Sequence, residues 1–208
     1  MRFTLSALAA VVLAAPSFAA EETAIFSGGC FWCVESDFQD ANGVIEAISG
    51  LTGGNKEDPT YRSYGDHREA VMITFDNSKI SYEELVDAFF RSIDPTDAGG
   101  QFCDRGKTYT TAVYATSAEQ MATANRVKDR LDASGILPNP IVTPIETAGT
   151  FHKVSDYHQD YYKSDAIVIT RFGPLTKAKA YKKYRESCGR DARTSELWGN
   201  KAFIKAGF

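Results

Sequence analysis

Residues 23–40 read TAIFSGGCFWCVESDFQD, and the parsing of that run decides the fold. Residues 23–27 carry β-branched and aromatic side chains and predict a short buried strand. Gly28-Gly29 ends it, because two glycines let the backbone turn sharply. From Cys30 to Asp40 the apolar positions Cys30, Phe31, Val34 and Phe38 follow helical spacing. The result is strand, sharp turn, helix, with a cysteine at the turn. The first amides of a helix lack partners and the macrodipole is positive there. A thiol at that point is expected to be more acidic, and the thiolate is the nucleophile. Cys30 is therefore a candidate nucleophile, with Glu35 further along the helix opposing the effect.

Outward from this run, Asn42-Gly43 signals a turn and residues 44–52 a second strand. Residues 53–67 form a polar loop with Pro59 in its middle. Alternation begins at Glu69: Glu69, Val71, Ile73 and Phe75 point one way, Ala70, Met72 and Thr74 the other. A carboxyl on an apolar face is desolvated, its pKa rises, and near pH 7 it can donate a proton. The plainer reading of Glu69 is a strand-start residue paired with Arg68 or Arg62. Ser81-Tyr82-Glu83-Glu84 is a capping box that opens a helix ending near Ile93. Residues 94–108 read as a long loop, 109–115 as a strand, 117–134 as a helix and 141–146 as a further strand. Residues 156–163 and 175–187 look helical. The order β-α-β-β-α-β predicts an α+β fold, a ferredoxin-like sandwich with an irregular C-terminal extension.

With 208 residues, 43% hydrophobic and 24% charged, the chain suits one globular domain. A net charge of -4 argues against a nucleic-acid binder. Residues 1–19 are different: Arg2, an apolar run over residues 5–15, Pro16, then Ser17-Phe18-Ala19. That pattern predicts a signal peptide cut after Ala19, leaving residues 20–208 as the mature domain, periplasmic or secreted and not inserted in the membrane. The apolar run is too short to span a bilayer. In an oxidising compartment the four cysteines, Cys30, Cys33, Cys103 and Cys188, would ordinarily form structural disulfides.

The residues alone leave several chemistries open. Cys30-x-x-Cys33 suits a periplasmic thiol-disulfide oxidoreductase, with Thr143-Pro144 as a proline facing the motif. Cys30, Cys33, Cys103 and His158 make a weak zinc set without a second closely spaced ligand pair. A non-enzymatic, disulfide-stabilised binding module is the third possibility. Beyond these, GCFWCVE at 29–35 resembles the signature of the A-type peptide methionine sulfoxide reductases. The resemblance continues through SGLTGGNKEDPTYR at 49–62, DHREAV at 66–71, DPTDAGGQFCDRGKTY at 94–109 and DYHQDYY at 156–162.

The resemblance implies an enzyme specific for the S epimer of methionine sulfoxide, free or in oxidised proteins, acting in protein repair under oxidative stress. It implies that Cys30 is the nucleophile and becomes a sulfenic acid, and that Phe31 and Trp32 wall the pocket for the substrate's methyl group. Glu69 is implied as proton donor, Tyr61 and Tyr109 as phenols on the sulfoxide oxygen, and Asp104 as a carboxylate positioning substrate and water. A second thiol then closes an intramolecular disulfide, which an external thioredoxin-like dithiol reduces, with no metal or organic cofactor. Many members have glycine at Cys33 and asparagine at Cys103, so the resolving thiol stays open. Cys188, beside Gly189 in the tail, is favoured, and Cys33 and Cys103 are the alternatives. A structural Cys103–Cys188 bridge would leave Cys33 as resolver. His158 is read as structural.

Overall fold

The computed structural model describes residues 20–171 and 173–203, so the expected signal peptide and the cut after Ala19 lie outside the described residues. The chain begins with β1 (Glu21–Gly28), α1 (Phe31–Phe38), β2 (Val44–Thr52), β3 (Arg68–Asp76) and α2 (Tyr82–Arg91). Two short strands, β4 (Gly100–Gln101) and β5 (Asp104–Arg105), pair with each other, and a 3-10 turn at Lys107–Tyr109 leads into β6 (Thr111–Ala115). Next come α3 (Ala118–Asp132), β7 (Ile145–Thr147) and β8 (His152–Lys153), then a hairpin of β9 (Ile167–Thr170) and β10 (Gly173–Thr176). Helices α4 (Lys177–Cys188) and α5 (Arg190–Trp198) complete the described chain. None of the described helices is long and apolar enough to cross a membrane.

Six strands make one mixed sheet in the order β7-β6-β1-β3-β2-β8. Every pairing in it is antiparallel except β6 with β7. β1 is central because its second half, Ala24 to Gly28, is buried throughout and must be covered on both edges. Ala24 and Phe26 face the main apolar cluster, which also takes residues from α1, α2, α3 and α5. Ile25 points to the opposite face, where a smaller cluster of Ala70, Ala112 and Tyr114 sits. Phe26 stacks on Phe89 of α2 at 4.6 Å and 12°, and removing such a ring from a core costs about 3–5 kcal/mol. The capping box at Ser81 and Glu84 is formed, and Ser117 caps α3 through the Gln120 amide.

The Gly28-Gly29 turn is required on two counts. A Cβ on Gly28 would come within 2.8 Å of Val34 and 3.0 Å of Phe89. Gly29 has a left-handed φ of +83°, and its Cβ would meet the Gln101 side chain at 2.6 Å. The turn therefore packs α1 directly under the end of β1 and against the β4–β5 loop.

Several expectations are corrected. Residues 156–160 are turns, not a helix, and only Tyr161–Lys163 closes as a 3-10 turn. Asp160 takes a left-handed φ of 53°, and its amide donates to the Glu35 carboxylate of α1, which diverts the segment from helical bonding. The expected strand at 141–146 shrinks to Ile145–Thr147, because Val142 donates instead to Pro95 O. The tail is not irregular: it holds the β9–β10 hairpin, α4 and α5, and Trp198 is buried in the main core with Arg91 5.3 Å above its ring.

Candidate active site

Cys30 is the N-cap residue of α1, and its carbonyl accepts from the amides of Cys33 and Val34. Cys33 lies one helical turn on, and the two thiols share a buried pocket with Tyr161 and Tyr181. Burial pushes the Cys30 thiol well above its ordinary value, and the hydrogen bond to Cys33 and the charges of Glu69 and Asp104 act the same way. Cys33 is instead lowered to about 7, chiefly by the hydrogen bond from Cys30, with the guanidiniums of Arg190 and Arg185 adding to it against burial. The expectation that Cys30 itself is acidified by the helix start is thus corrected. Burial disfavours the charged thiolate, against the direction expected of a helix start.

Glu69 is 1% exposed and shares its strand face with Val71, Ile73 and Phe75. Leu51 of β2 stands opposite it in the sheet. Its Oε2 accepts from the Phe31 amide and its Oε1 from the Tyr64 hydroxyl, both at 2.9 Å. Desolvation dominates and raises its pKa to about 8, although both hydrogen bonds oppose the rise. The carboxyl is therefore mostly protonated at pH 7. It has no ion pair with Arg68, which bonds Thr110, Tyr114 and Glu146.

Tyr61 stacks on Phe31 at 6.0 Å and lies 4.0 Å from His158 and 5.5 Å from Tyr64. Burial lifts its phenol to about 12, with the Glu69 charge second. Tyr109, at the end of its 3-10 turn, is half-buried and shifted up for the same two reasons. Both are proton-bearing donors at neutral pH. Trp32 stacks on Tyr161 at 3.9 Å and 15°, with His158 5.8 Å away. Phe31 is 1% exposed and belongs to the core as well as to the site. The His158 imidazole is held neutral, its pKa lowered to about 4 by burial and by Lys177, and it packs against Phe31, Trp32 and Tyr61.

Asp104 is half-buried, accepts a hydrogen bond from the Tyr184 hydroxyl of α4, and is raised by burial. Beside it Cys103 and Cys188 form a disulfide, while Cys30 and Cys33 are free. The favoured resolver Cys188 is therefore joined to Cys103 rather than waiting beside Cys30. The zinc set Cys30, Cys33, Cys103 and His158 is not assembled, since the Cys103 sulfur is in that bridge. Thr143-Pro144 lies against β6, where Val113 N donates to Pro144 O at 3.0 Å.

Sequence reasoning missed Tyr64, Tyr184 and Arg190. Tyr64 stands in the quoted 53–67 loop, five residues from Glu69, but nothing in its spacing sets it apart from Tyr61. Two grooves flank the site. One of about 360 Å³ includes Trp32, Tyr161, Tyr184 and the Cys103–Cys188 bridge. Another, of about 650 Å³, runs outward from Tyr61 and His158 past Arg62 and Lys153.

A sequence model of the family described as peptide methionine sulfoxide reductase matches residues 22–197. The chain belongs to this family. The reductase is 45% identical over 206 residues to peptide methionine sulfoxide reductase MsrA 2 of Rhizobium meliloti, covering 98% of this chain and 97% of that one. It is 42% identical over 185 residues to MsrA of Bacillus subtilis, covering 87% and 98%. Among solved structures it is similar to methionine sulfoxide reductase A of Corynebacterium diphtheriae, with a TM-score of 0.61, 29% identity, and coverage of 68% and 73%. Its activity is the thiol-dependent reduction of peptide methionine (S)-S-oxide.

Proposed function

We propose the following division of labour for that reaction. Cys30 attacks the sulfoxide sulfur, Glu69 gives its proton to the oxygen, and the phenols of Tyr61 and Tyr109 hold that oxygen. Tyr64 and the Phe31 amide aim the Glu69 carboxyl, and Phe31 and Trp32 wall the methyl group. Asp104, tied to Tyr184, positions substrate and water. The observation that carries this reading is a protonated carboxyl, Glu69, bonded to the amide next to Cys30. Free methionine sulfoxide and sulfoxides in oxidised proteins both fit, and the groove past Arg62 and Lys153 gives a polypeptide room to continue.

Cys33 is the resolving thiol. Its support is the hydrogen bond with Cys30 and the covalent engagement of Cys188 with Cys103. Cys103–Cys188 is a structural staple that ties α4 to the loop bearing Asp104. An external thioredoxin-like dithiol reduces the Cys30–Cys33 disulfide, completing a cycle run by thiols alone. The four strands β6-β1-β3-β2, antiparallel throughout, are read as a ferredoxin-like core. The protein is read as exported and periplasmic or secreted, on the pattern of residues 1–19, and a structural disulfide suits that compartment.

Separated S and R epimers of N-acetyl-methionine sulfoxide, incubated with dithiothreitol and the reductase, test the roles. The S epimer alone is turned over, and Cys30→Ser abolishes turnover. Mass mapping after one equivalent of substrate finds Cys30 joined to Cys33. A Cys30–Cys188 link instead would restore Cys188 as resolver. Terminal sequencing of the exported protein finds Ala20 first, and an intact Met1 would refute export by cleavage.

A further inference from the structure

One segment carries charge of the opposite sign to the whole. The protein has a net charge of -4, yet residues 163–186 hold seven Lys or Arg against two Asp or Glu. Two of those cations are committed inside: Lys177 is buried, and Arg185 bonds Asp37 and Asp191. Arg171, Lys179, Lys182 and Lys183 are exposed. Helix stability does not account for them. Lys179 lies in the first turn of α4, where the macrodipole disfavours a cation. A glutamate there would complete a capping box with Thr176, whose side chain already accepts from the Lys179 amide.

Apolar surface adjoins this charge. Ile167 and Ile169 of β9 are 66% and 82% exposed, the most exposed large apolar side chains among the described residues. Alternation along the strand puts both on one face. Ile169 stands opposite the exposed Pro174, and Ile167 opposite Thr176, the cap of α4, so the isoleucine face runs directly into the lysines. The turn end of the same hairpin gives Thr170 and Arg171 to the groove of about 360 Å³ beside Trp32. Trp32, Tyr161, Tyr181 and Tyr184 line that groove and are also rings packed on Cys30 and Cys33. The groove past Arg62 and Lys153 shares no lining residue with it.

We propose that the Ile167–Ile169 face of the hairpin and the exposed lysines of α4 together form the docking surface for the thioredoxin-like reductant, a dithiol protein with an acidic rim around an apolar contact face. This rests on the reading of a thiol cycle that ends in a protein disulfide. Position favours the reductant over the substrate, because the groove beside this surface is walled by the rings that cover the thiols, whereas the other groove starts at Tyr61 and His158. Charge favours an acidic partner, which the lysines attract before contact while the isoleucines supply area to bury. Once docked, a partner thiolate bonds one sulfur of the disulfide formed in turnover and displaces the other as thiolate. The partner's second thiol then displaces the bonded sulfur. The two released thiolates take one proton from that thiol and one from solvent. The reductase gains two electrons and regains two thiols, and the partner is left with a disulfide.

The test is steady-state turnover of the S epimer of N-acetyl-methionine sulfoxide by wild type, Lys179→Glu/Lys182→Glu and Ile169→Thr. Each is driven either by an acidic bacterial thioredoxin, recycled by its reductase and NADPH, or by dithiothreitol. The expected result is a KM for thioredoxin raised about tenfold at low salt in the double variant, the gap narrowing as salt is added, with dithiothreitol turnover unchanged. Ile169→Thr, which keeps a β-branched residue in the strand, raises that KM about threefold. A thioredoxin KM unmoved in either variant overturns the proposal, as does a wild type that only dithiothreitol can drive. A KM that rises instead for peroxide-treated casein under dithiothreitol gives the surface to the substrate and overturns it too. Wild type inactive even with dithiothreitol sinks the reading of the thiol cycle, whereas active wild type with unmoved variants sinks only the docking surface. Should the double variant fail to fold, wild type and Ile169→Thr decide: a thioredoxin KM that climbs with salt in wild type and rises in Ile169→Thr supports the surface, and a KM flat in salt overturns it.

Discussion

Glu35 on α1 and Glu69 on β3 are both stripped of water, and each accepts two hydrogen bonds. Burial raises Glu35 to about 7 and Glu69 to about 8. Their partners separate them. Glu35 accepts from Ser49 Oγ on β2 and from the Asp160 amide, so it joins a helix, a strand and a distant loop. Glu69 accepts from the amide beside Cys30 and from a tyrosine in the 53–67 loop, so its proton faces the thiols. A raised pKa therefore does not by itself mark an acid catalyst; the proposed role of Glu69 rests on its bond to the amide beside Cys30.

Three substitutions sharpen that contrast. Glu69→Gln removes the transferable proton and keeps the shape, and steady-state kinetics should find kcat down by about 10²–10⁴-fold while thermal unfolding moves little. Tyr64→Phe removes a donor that stabilises the ionised carboxylate, so the Glu69 pKa rises further. The alkaline limb of the activity profile then moves up, and kcat/KM falls by about tenfold as the carboxyl loses its aim. Glu35→Gln has the smallest effect on chemistry, within about twofold at neutral pH, and its signature is in stability. The folded protein holds a proton on Glu35 up to about 7, whereas an unfolded glutamic acid releases it near 4.3, about the ordinary value. Between those values the folded state binds the extra proton, so stability falls as pH rises through the window. Denaturant unfolding should show that component in wild type and lose it in Glu35→Gln. A dead Glu35→Gln enzyme, or an active Glu69→Gln enzyme, would reverse the contrast.

The setting of Cys30, the proposed nucleophile, was legible in sequence because it is local. A strand, two glycines and a helix lie within one short run, and each leaves its own mark. Glu69 was legible through alternation along one strand, where the other residues of its own face, Val71, Ile73 and Phe75, are uniformly apolar. The rest depends on contacts between distant residues. Arg190 meets Gly28 across 162 residues and Glu35 meets the Asp160 amide across 125, and no periodicity encodes such meetings. The burial of Cys30 was hidden for the same reason: the helix start is visible in the sequence, but the pocket around the thiol is closed by Tyr181 of α4 and by Tyr161. Beyond the helix expected at 175–187, the tail looked irregular because α5 is mostly polar, and only Arg190, Thr194, Leu197 and Trp198 on it are buried.

The chain contains two tryptophans, and the fold gives them separate surroundings. Trp198 sits in the core with its indole N–H directed to Ile93 O, far in function from the thiols. Trp32 lies flat on Tyr161, beside Cys30 and Cys33 at the proposed substrate pocket. The intrinsic fluorescence of the protein is thereby divided between a dye that follows unfolding and a dye that follows occupancy and oxidation of the pocket. With Trp198 replaced by phenylalanine, the remaining emission comes from Trp32 alone and, on the pocket role proposed for that ring, becomes an optical clock for each turnover.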